Sequence, residues 1–115
     1  MMRSDIDNSL EGKVVLVTGG ASGLGEALCR LLAGAGACVT IADLDSEKAG
    51  ALAVALRTKG QRADAAGLDV GDATAAERTV EQTVGHWGRL DVLINNAGTD
   101  LTLPLTELSP ADWPR

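Results

Sequence analysis

These 115 residues contain no tyrosine and no phenylalanine, and tryptophan occurs only at Trp87 and Trp113. A core without those rings must be filled by Ala, Val, Leu and Ile around glycine. That suits closely packed α/β layers better than a β-sandwich, whose strands draw on aromatics. Basic residues are also few. Ten Lys and Arg against 16 Asp and Glu leave a formal charge of −6, with an isoelectric point near 4.6. That balance excludes the basic patch that nucleic acid requires.

No apolar run approaches the roughly 18 residues needed to cross a bilayer, so no membrane span is expected. The polar opening, Met1 to Glu11, lacks the apolar core of a secretory signal. Two cysteines, Cys29 and Cys38, are too few for a disulfide framework. They read as small buried apolar residues in a reducing, cytoplasmic setting. No cluster has metal-ligand spacing, Ser22 has no histidine partner for nucleophilic work, and the sole histidine, His86, reads as a surface residue. No catalytic or metal-binding residue is therefore assigned.

What is present is a regular alternation. Residues 1–12 read as a flexible lead-in ending at Gly12. Lys13 to Val17 is a short apolar run of the kind expected for a strand buried on both faces. A glycine-rich turn follows from Thr18 to Gly25. Leu24, Ala27, Leu28, Leu31, Leu32 and Ala35 then recur at helical spacing until Gly34 and Gly36. Cys38 to Ala42 is a second strand stopping at Asp43. Asp45 or Ser46 caps a helix through Lys59, with Gly60 as its stop. A third strand lies within Arg62 to Leu68, ahead of Asp69 and Val70. Asp72 caps a third helix, on which Ala76, Val80, Val84 and Trp87 share a face, and Leu90 to Ile94 is a fourth strand. Strands alternating with helices imply a parallel sheet with helices on both faces. Near the end, Ser109, Pro110 and Asp112 announce a helix that Pro114 opposes, which reads as an element cut through.

The turn Thr18-Gly19-Gly20-Ala21-Ser22-Gly23-Leu24-Gly25 carries the main chemical signal. A tight strand-to-helix connection alone would account for some glycine. Here the flanking strand and helix make it a dinucleotide fingerprint. Gly19 permits the turn, Gly23 lets backbone approach a pyrophosphate, and Gly25 lets the helix pack close to the strand. The helix N-terminus offers N–H groups and its positive dipole end to phosphate. Asp43, about 20 residues on, is placed to accept the ribose hydroxyls of NAD; a helix-capping or loop carboxylate is the alternative. The same charge would repel a 2′-phosphate, and Ala21, Ser22 and Leu44 supply no base to welcome one. NAD is therefore favoured over NADP. Asp69-Val70 and Asn95-Asn96-Ala97-Gly98 each end a strand, at the edge where such sheets bind ligands.

Together these residues resemble the short-chain dehydrogenase/reductase family. The turn matches its Thr-Gly-x-x-x-Gly-x-Gly pattern at Thr18, Gly19, Gly23 and Gly25, and the similarity runs from Leu10 onward. The resemblance implies that Asp69, with Val70, meets the adenine. It also implies that Asn95 to Gly98, after Leu90-Asp91-Val92-Leu93-Ile94, steadies the sheet and lines the cofactor's ribose. The candidate cofactor-binding residues are then Thr18, Gly19, Ser22, Gly23, Leu24, Gly25, Asp43, Leu44, Asp69, Val70, Asn96, Ala97 and Gly98. The expected fold is α/β, a Rossmann-like doubly wound parallel sheet truncated after its fourth strand, with residues 13–115 forming a partial NAD-binding domain.

Family members are about twice this length, and the resemblance places their chemistry on a Ser and a Tyr-x-x-x-Lys pair in the second half. The tyrosine serves as acid or base toward the substrate oxygen. This chain has no tyrosine. Two expectations follow: the cofactor half of an NAD-dependent oxidoreductase acting on an alcohol or ketone, or a non-catalytic nucleotide-binding or interaction module, as from a shortened isoform or decayed gene. The family's strand order would leave the fourth strand an unpaired edge, apolar on both faces, open to self-association or pairing with another chain. The 115-residue chain is accordingly expected to be marginally stable. A monomer unfolding cooperatively above about 50 °C, as ordinary mesophile domains do, would contradict this in a combined calorimetry and sizing measurement.

Overall fold

The computed structural model describes residues 9–96. Ala97, Gly98 and the helix start at Ser109 lie outside the described residues. Seven elements alternate along the chain: β1 (Val14–Thr18), α1 (Gly23–Gly34), β2 (Cys38–Asp43), α2 (Ser46–Thr58), β3 (Arg62–Gly67), α3 (Ala73–Trp87) and β4 (Val92–Asn95). The strands form one sheet in the order β3-β2-β1-β4, and every pair is parallel. Right-handed crossovers explain the layering. The chain steps one way from β1 to β3, laying α1 and α2 on one face. It then returns past β1 to β4, which puts α3 on the other.

Alternation along the strands divides the core accordingly. Val15, Val17, Val39, Ile41 and Ala63 point toward α1 and α2, where Cys29, Ala33, Ala49, Leu52, Ala53 and Leu56 meet them. Leu16, Ala42 and Leu68 point the other way, toward Ala75, Ala76 and Val80 of α3. β1 is buried along its whole length, as its unbroken apolar run predicts. Asp45 caps α2 by accepting from the Lys48 N–H, and Asp72 caps α3 by accepting from Thr74 and Ala75.

In α1 and α3 the most deeply buried positions are not those that the apolar spacing singles out. The buried line of α1 is Gly25, Cys29 and Ala33, while Leu24 and Leu31 are 67% and 70% exposed. The helix lies so near the sheet that only small residues fit between them. Of the leucines in the periodic pattern, Leu24 and Leu31 stand on its outer flank, while Leu32 is partly buried and packs against the core. On α3 the fully buried positions are Thr79 and Thr83; of the expected face, Ala76 and Val80 are partly buried against the core and Val84 faces outward. Each threonine turns its hydroxyl back to the carbonyl one turn earlier, at Ala75 (2.9 Å) and Thr79 (2.8 Å), so burial leaves no hydroxyl donor unpaired at either position. The Trp87 Nε1–H donates to Thr40 Oγ1 of β2 at 3.0 Å, joining the end of α3 to the middle of the sheet.

Asp91, just before β4, ties that strand to the start of β1. Its N–H donates to the Val14 carbonyl at 2.9 Å, and its Oδ2 accepts from the Val14 N–H at 2.8 Å. Arg89 donates to Oδ1 through Nε (3.0 Å) and Nη2 (2.6 Å). The Val14 N–H, and then Arg89, hold the Asp91 carboxyl below its ordinary range. Its stabilising effect is full above the unfolded value of about 3.9 and is lost as pH falls through the lower folded value. Asp91→Asn should cost about 1 kcal/mol at neutral pH. It should also flatten the acid limb of stability below about pH 4, measured by urea unfolding at a series of pH values.

Candidate functional site

A parallel sheet brings the carboxyl ends of its strands to one edge, and here Thr18, Asp43, Gly67 and Asn95 mark it. A cleft of about 420 Å³ opens there. The turn after β1 contributes Gly19 and Ser22, and the end of β2 contributes Asp43 and Leu44. The end of β3 contributes Leu68, Asp69 and Val70, and Asn96 follows β4.

The turn is left-handed at both ends, with φ of +65° at Gly19 and +58° at Gly23. A Cβ at Gly23 would stand in open space, so the backbone there is bare to anything entering the turn. Gly25 is the opposite case. A Cβ on it would be driven into the Gly19 carbonyl and come within 2.8 Å of Asn96 Nδ2. The helix therefore starts in contact with the turn.

Of the three described helices, α1 alone lacks a side-chain cap. Ser22 holds the N-cap position in an extended conformation but makes no capping bond, whereas Asp45 and Asp72 cap the other two. Ser22 lines the cleft, so the uncapped start of α1, with its leading N–H groups and positive dipole end, lies beside it. Glu26, the acid in its first turn, is tied to Arg30 at 2.8 Å. Among the described residues no Lys or Arg lines the cleft.

Asp43 is held at both carboxylate oxygens. Oδ2 accepts from the Ala21 N–H at 3.0 Å and Oδ1 from the Asp45 N–H at 2.9 Å. Each oxygen retains a further acceptor position. Asp69 uses Oδ1 to accept from the Gly71 N–H at 2.9 Å. Leu44 and Val70, 78% and 47% exposed, make apolar flanks above the buried Leu68. Such walls suit a flat, weakly polar ring.

Some expected site residues act behind the cleft. Thr18 is buried; its hydroxyl donates to Asn95 Oδ1 at 2.9 Å and accepts from the Asn96 N–H at 3.0 Å. Asn96 donates through Nδ2 to the Gly19 carbonyl at 3.2 Å, tying β4 to the turn. Gly23, Leu24 and Gly25 are not lining residues, and Leu24 points to solvent. Leu68 and the Ala21 N–H are participants that sequence reasoning missed. Leu68 was discernible as the last apolar residue of the segment in which the third strand is expected. A backbone donor at Ala21 leaves no trace in residue type. The Cys29 thiol is pushed up to about 12, first by burial and then by Glu26 and Asp43, and stays protonated at neutral pH. Among the described residues no three His, Cys, Asp or Glu side chains gather as metal ligands.

Comparison with known proteins gives a consistent result. A family model described as short chain dehydrogenase matches residues 13–115. D-threitol dehydrogenase of Mycolicibacterium smegmatis is 41% identical over 111 residues, 95% of this chain and 42% of its own length. Meso-2,3-butanediol dehydrogenase of Serratia marcescens is 40% identical over 105 residues, 91% of this chain and 41% of its own. The crystal structure of a short chain dehydrogenase from Mycobacterium smegmatis superposes with a TM-score of 0.74 at 38% identity, covering 90% of this chain and 43% of that one. The chain thus spans about two fifths of the length of these relatives.

The two glycines should respond differently to the same methyl group. Gly25→Ala is expected to cost about 2 kcal/mol through overpacking against backbone. Gly23→Ala should cost about 1 kcal/mol, from the left-handed φ alone. Urea unfolding of both variants checks the order, and the reverse order would contradict the contact at Gly25.

Proposed function

The chain belongs to the short-chain dehydrogenase family, and from that premise we propose that it forms the dinucleotide-binding half of an NAD-dependent oxidoreductase. Members of the family bind a nicotinamide dinucleotide, NAD or NADP. The observation that carries the choice of NAD is the pairing of Asp43 with an uncapped helix start in a cleft that, among the described residues, no Lys or Arg lines. The α1 N-terminus and the bare backbone at Gly23 receive the pyrophosphate. Asp43 accepts from the ribose hydroxyls of the adenosine and repels a 2′-phosphate. Leu44 and Val70 flank the adenine, with Asp69 beside it. Asn96, with Ala97 and Gly98 next in sequence, is assigned to the second ribose. Bound NAD supplies the hydride acceptor. The substrate class we assign is a secondary alcohol or its ketone, in keeping with relatives named for threitol and butanediol.

The proton released in such an oxidation needs a base at the substrate oxygen. The chain has no tyrosine, and the cleft holds no group placed for that step among its described residues. This favours a second reading for the chain by itself, a nucleotide-binding module without turnover. The half-exposed Val92, Leu93 and Ile94 of β4, which among the described residues pairs with β1 alone, form the seam at which we expect the sheet to continue, or to pair with another chain. No helix among the described residues is long and apolar enough to cross a membrane. The two free cysteines are buried, in keeping with the reducing cytoplasm we assign to it.

Calorimetric titration of the chain with NAD and NADP tests the cofactor. NAD should bind at least about tenfold more tightly, a difference of roughly 1.4 kcal/mol. Equal affinities would overturn the assignment to NAD, and reduction of NAD by the chain with any alcohol would overturn the reading without turnover.

A further inference from the structure

The nucleotide reading gives Asp43 one task at the ribose, but the carboxylate is already engaged within the protein. Gly20 and Ala21 are consecutive residues of the turn. The Gly20 N–H donates to the Ala42 carbonyl at 3.2 Å, and the Ala21 N–H donates to Asp43 Oδ2 at 3.0 Å. The middle of the turn is thus pinned to the last two residues of β2. Gly19 and Gly23, on either side, hold left-handed φ values that other residues rarely adopt, so side-chain sterics do little to fix the turn between them. Ala21 is 5% exposed, its methyl group seated in the core under α1 and α2, so an unpaired N–H there has little access to water. The second oxygen of Asp43 accepts from Asp45, which is itself the N-cap of α2. That bond fixes the carboxylate against rotation.

We propose that Asp43 is a positioning residue for the glycine-rich turn as well as the group that selects the cofactor, so that one carboxylate sets both the shape of the phosphate cradle and the preference against a 2′-phosphate. A bond from N–H to a charged oxygen is stronger than one to a neutral acceptor, and in this turn it holds Ala21 just before the uncapped start of α1. The two roles cannot be separated by removing the side chain. A replacement that relieves repulsion of the 2′-phosphate also slackens the cradle that must bind the pyrophosphate. NADP therefore gains nothing from the loss of Asp43 alone.

The consequence for NADP rests on the nucleotide reading, whereas the positioning role is testable without any ligand. In the ligand-free chain, Asp43→Ala should speed amide exchange at Ala21 at least about tenfold, while Val15, Leu16 and Val17 of β1 keep their protection. Asp43→Asn, with one acceptor oxygen left for two N–H groups, should fall between, and it decides the matter if the alanine variant does not fold. Unchanged exchange at Ala21 in either folded variant would overturn the proposal.

Inorganic pyrophosphate supplies the second readout, because it has no ribose. If Asp43 acts only at a ribose, removing its negative charge leaves pyrophosphate binding equal or tighter. If it positions the turn, Asp43→Ala binds pyrophosphate several-fold more weakly despite the lost repulsion, and equal or tighter binding would overturn the proposal. Faster exchange at Ala21 in a chain whose unaltered form binds neither pyrophosphate nor NAD would sink the nucleotide reading and leave the positioning role standing.

Discussion

The start of α1 lies against the carbonyl of Gly19, and the rest of the structure follows from that contact. Gly25 allows it, since any side chain there would meet backbone. Once the helix is this close, the positions that follow on the same face must also be small, and Cys29 and Ala33 are. The sheet side answers with Val15, Val17, Val39 and Ile41, whose branched side chains fill a layer that no aromatic among the described residues occupies. The same closeness aims the free N–H groups of α1 at the edge of the sheet where the strands end.

Polar side chains then join neighbouring strands at points the backbone ladder does not reach. Asp91 clamps the start of β4 to Val14. Thr18, Asn95 and Asn96 lock the ends of β1 and β4 and reach the turn at Gly19. Asp43 ties β2 to the middle of the same turn. Residues that resemble a set of ligand contacts are therefore in part the framework of the site, and their hydrogen bonds run inward before any ligand arrives. Among the described lining residues, none brings a positive side chain to the cleft, so positive potential there comes from backbone alone.

Much of this was legible in the residues. The alternation of strand and helix, the caps at Asp45 and Asp72, the stop at Gly60 and the glycine-rich turn all depend on local backbone preferences that residue type reports directly. Which positions of α1 and α3 are most deeply buried was not. In α1 two of the four leucines, Leu24 and Leu31, face outward, and in α3 the most deeply buried positions are two threonines beside the expected Ala76 and Val80. Periodicity weighs large apolar residues most, yet the closest contacts in a thin α/β layer are made by the smallest ones.

The order of elements, the doubly wound sheet and the places of Gly19, Gly23, Asp43 and Asp69 at strand ends or in the turn that follows were all written in the residues, because turn geometry and alternation are local. Which of those residues face the cleft and which brace it depended on the folded chain. Thr18 and Asn96 meet although they stand 78 positions apart, and the partner of Asp43 in the turn is a backbone N–H. A backbone donor is the same in every residue but proline, so no reading of side chains could have singled out Ala21.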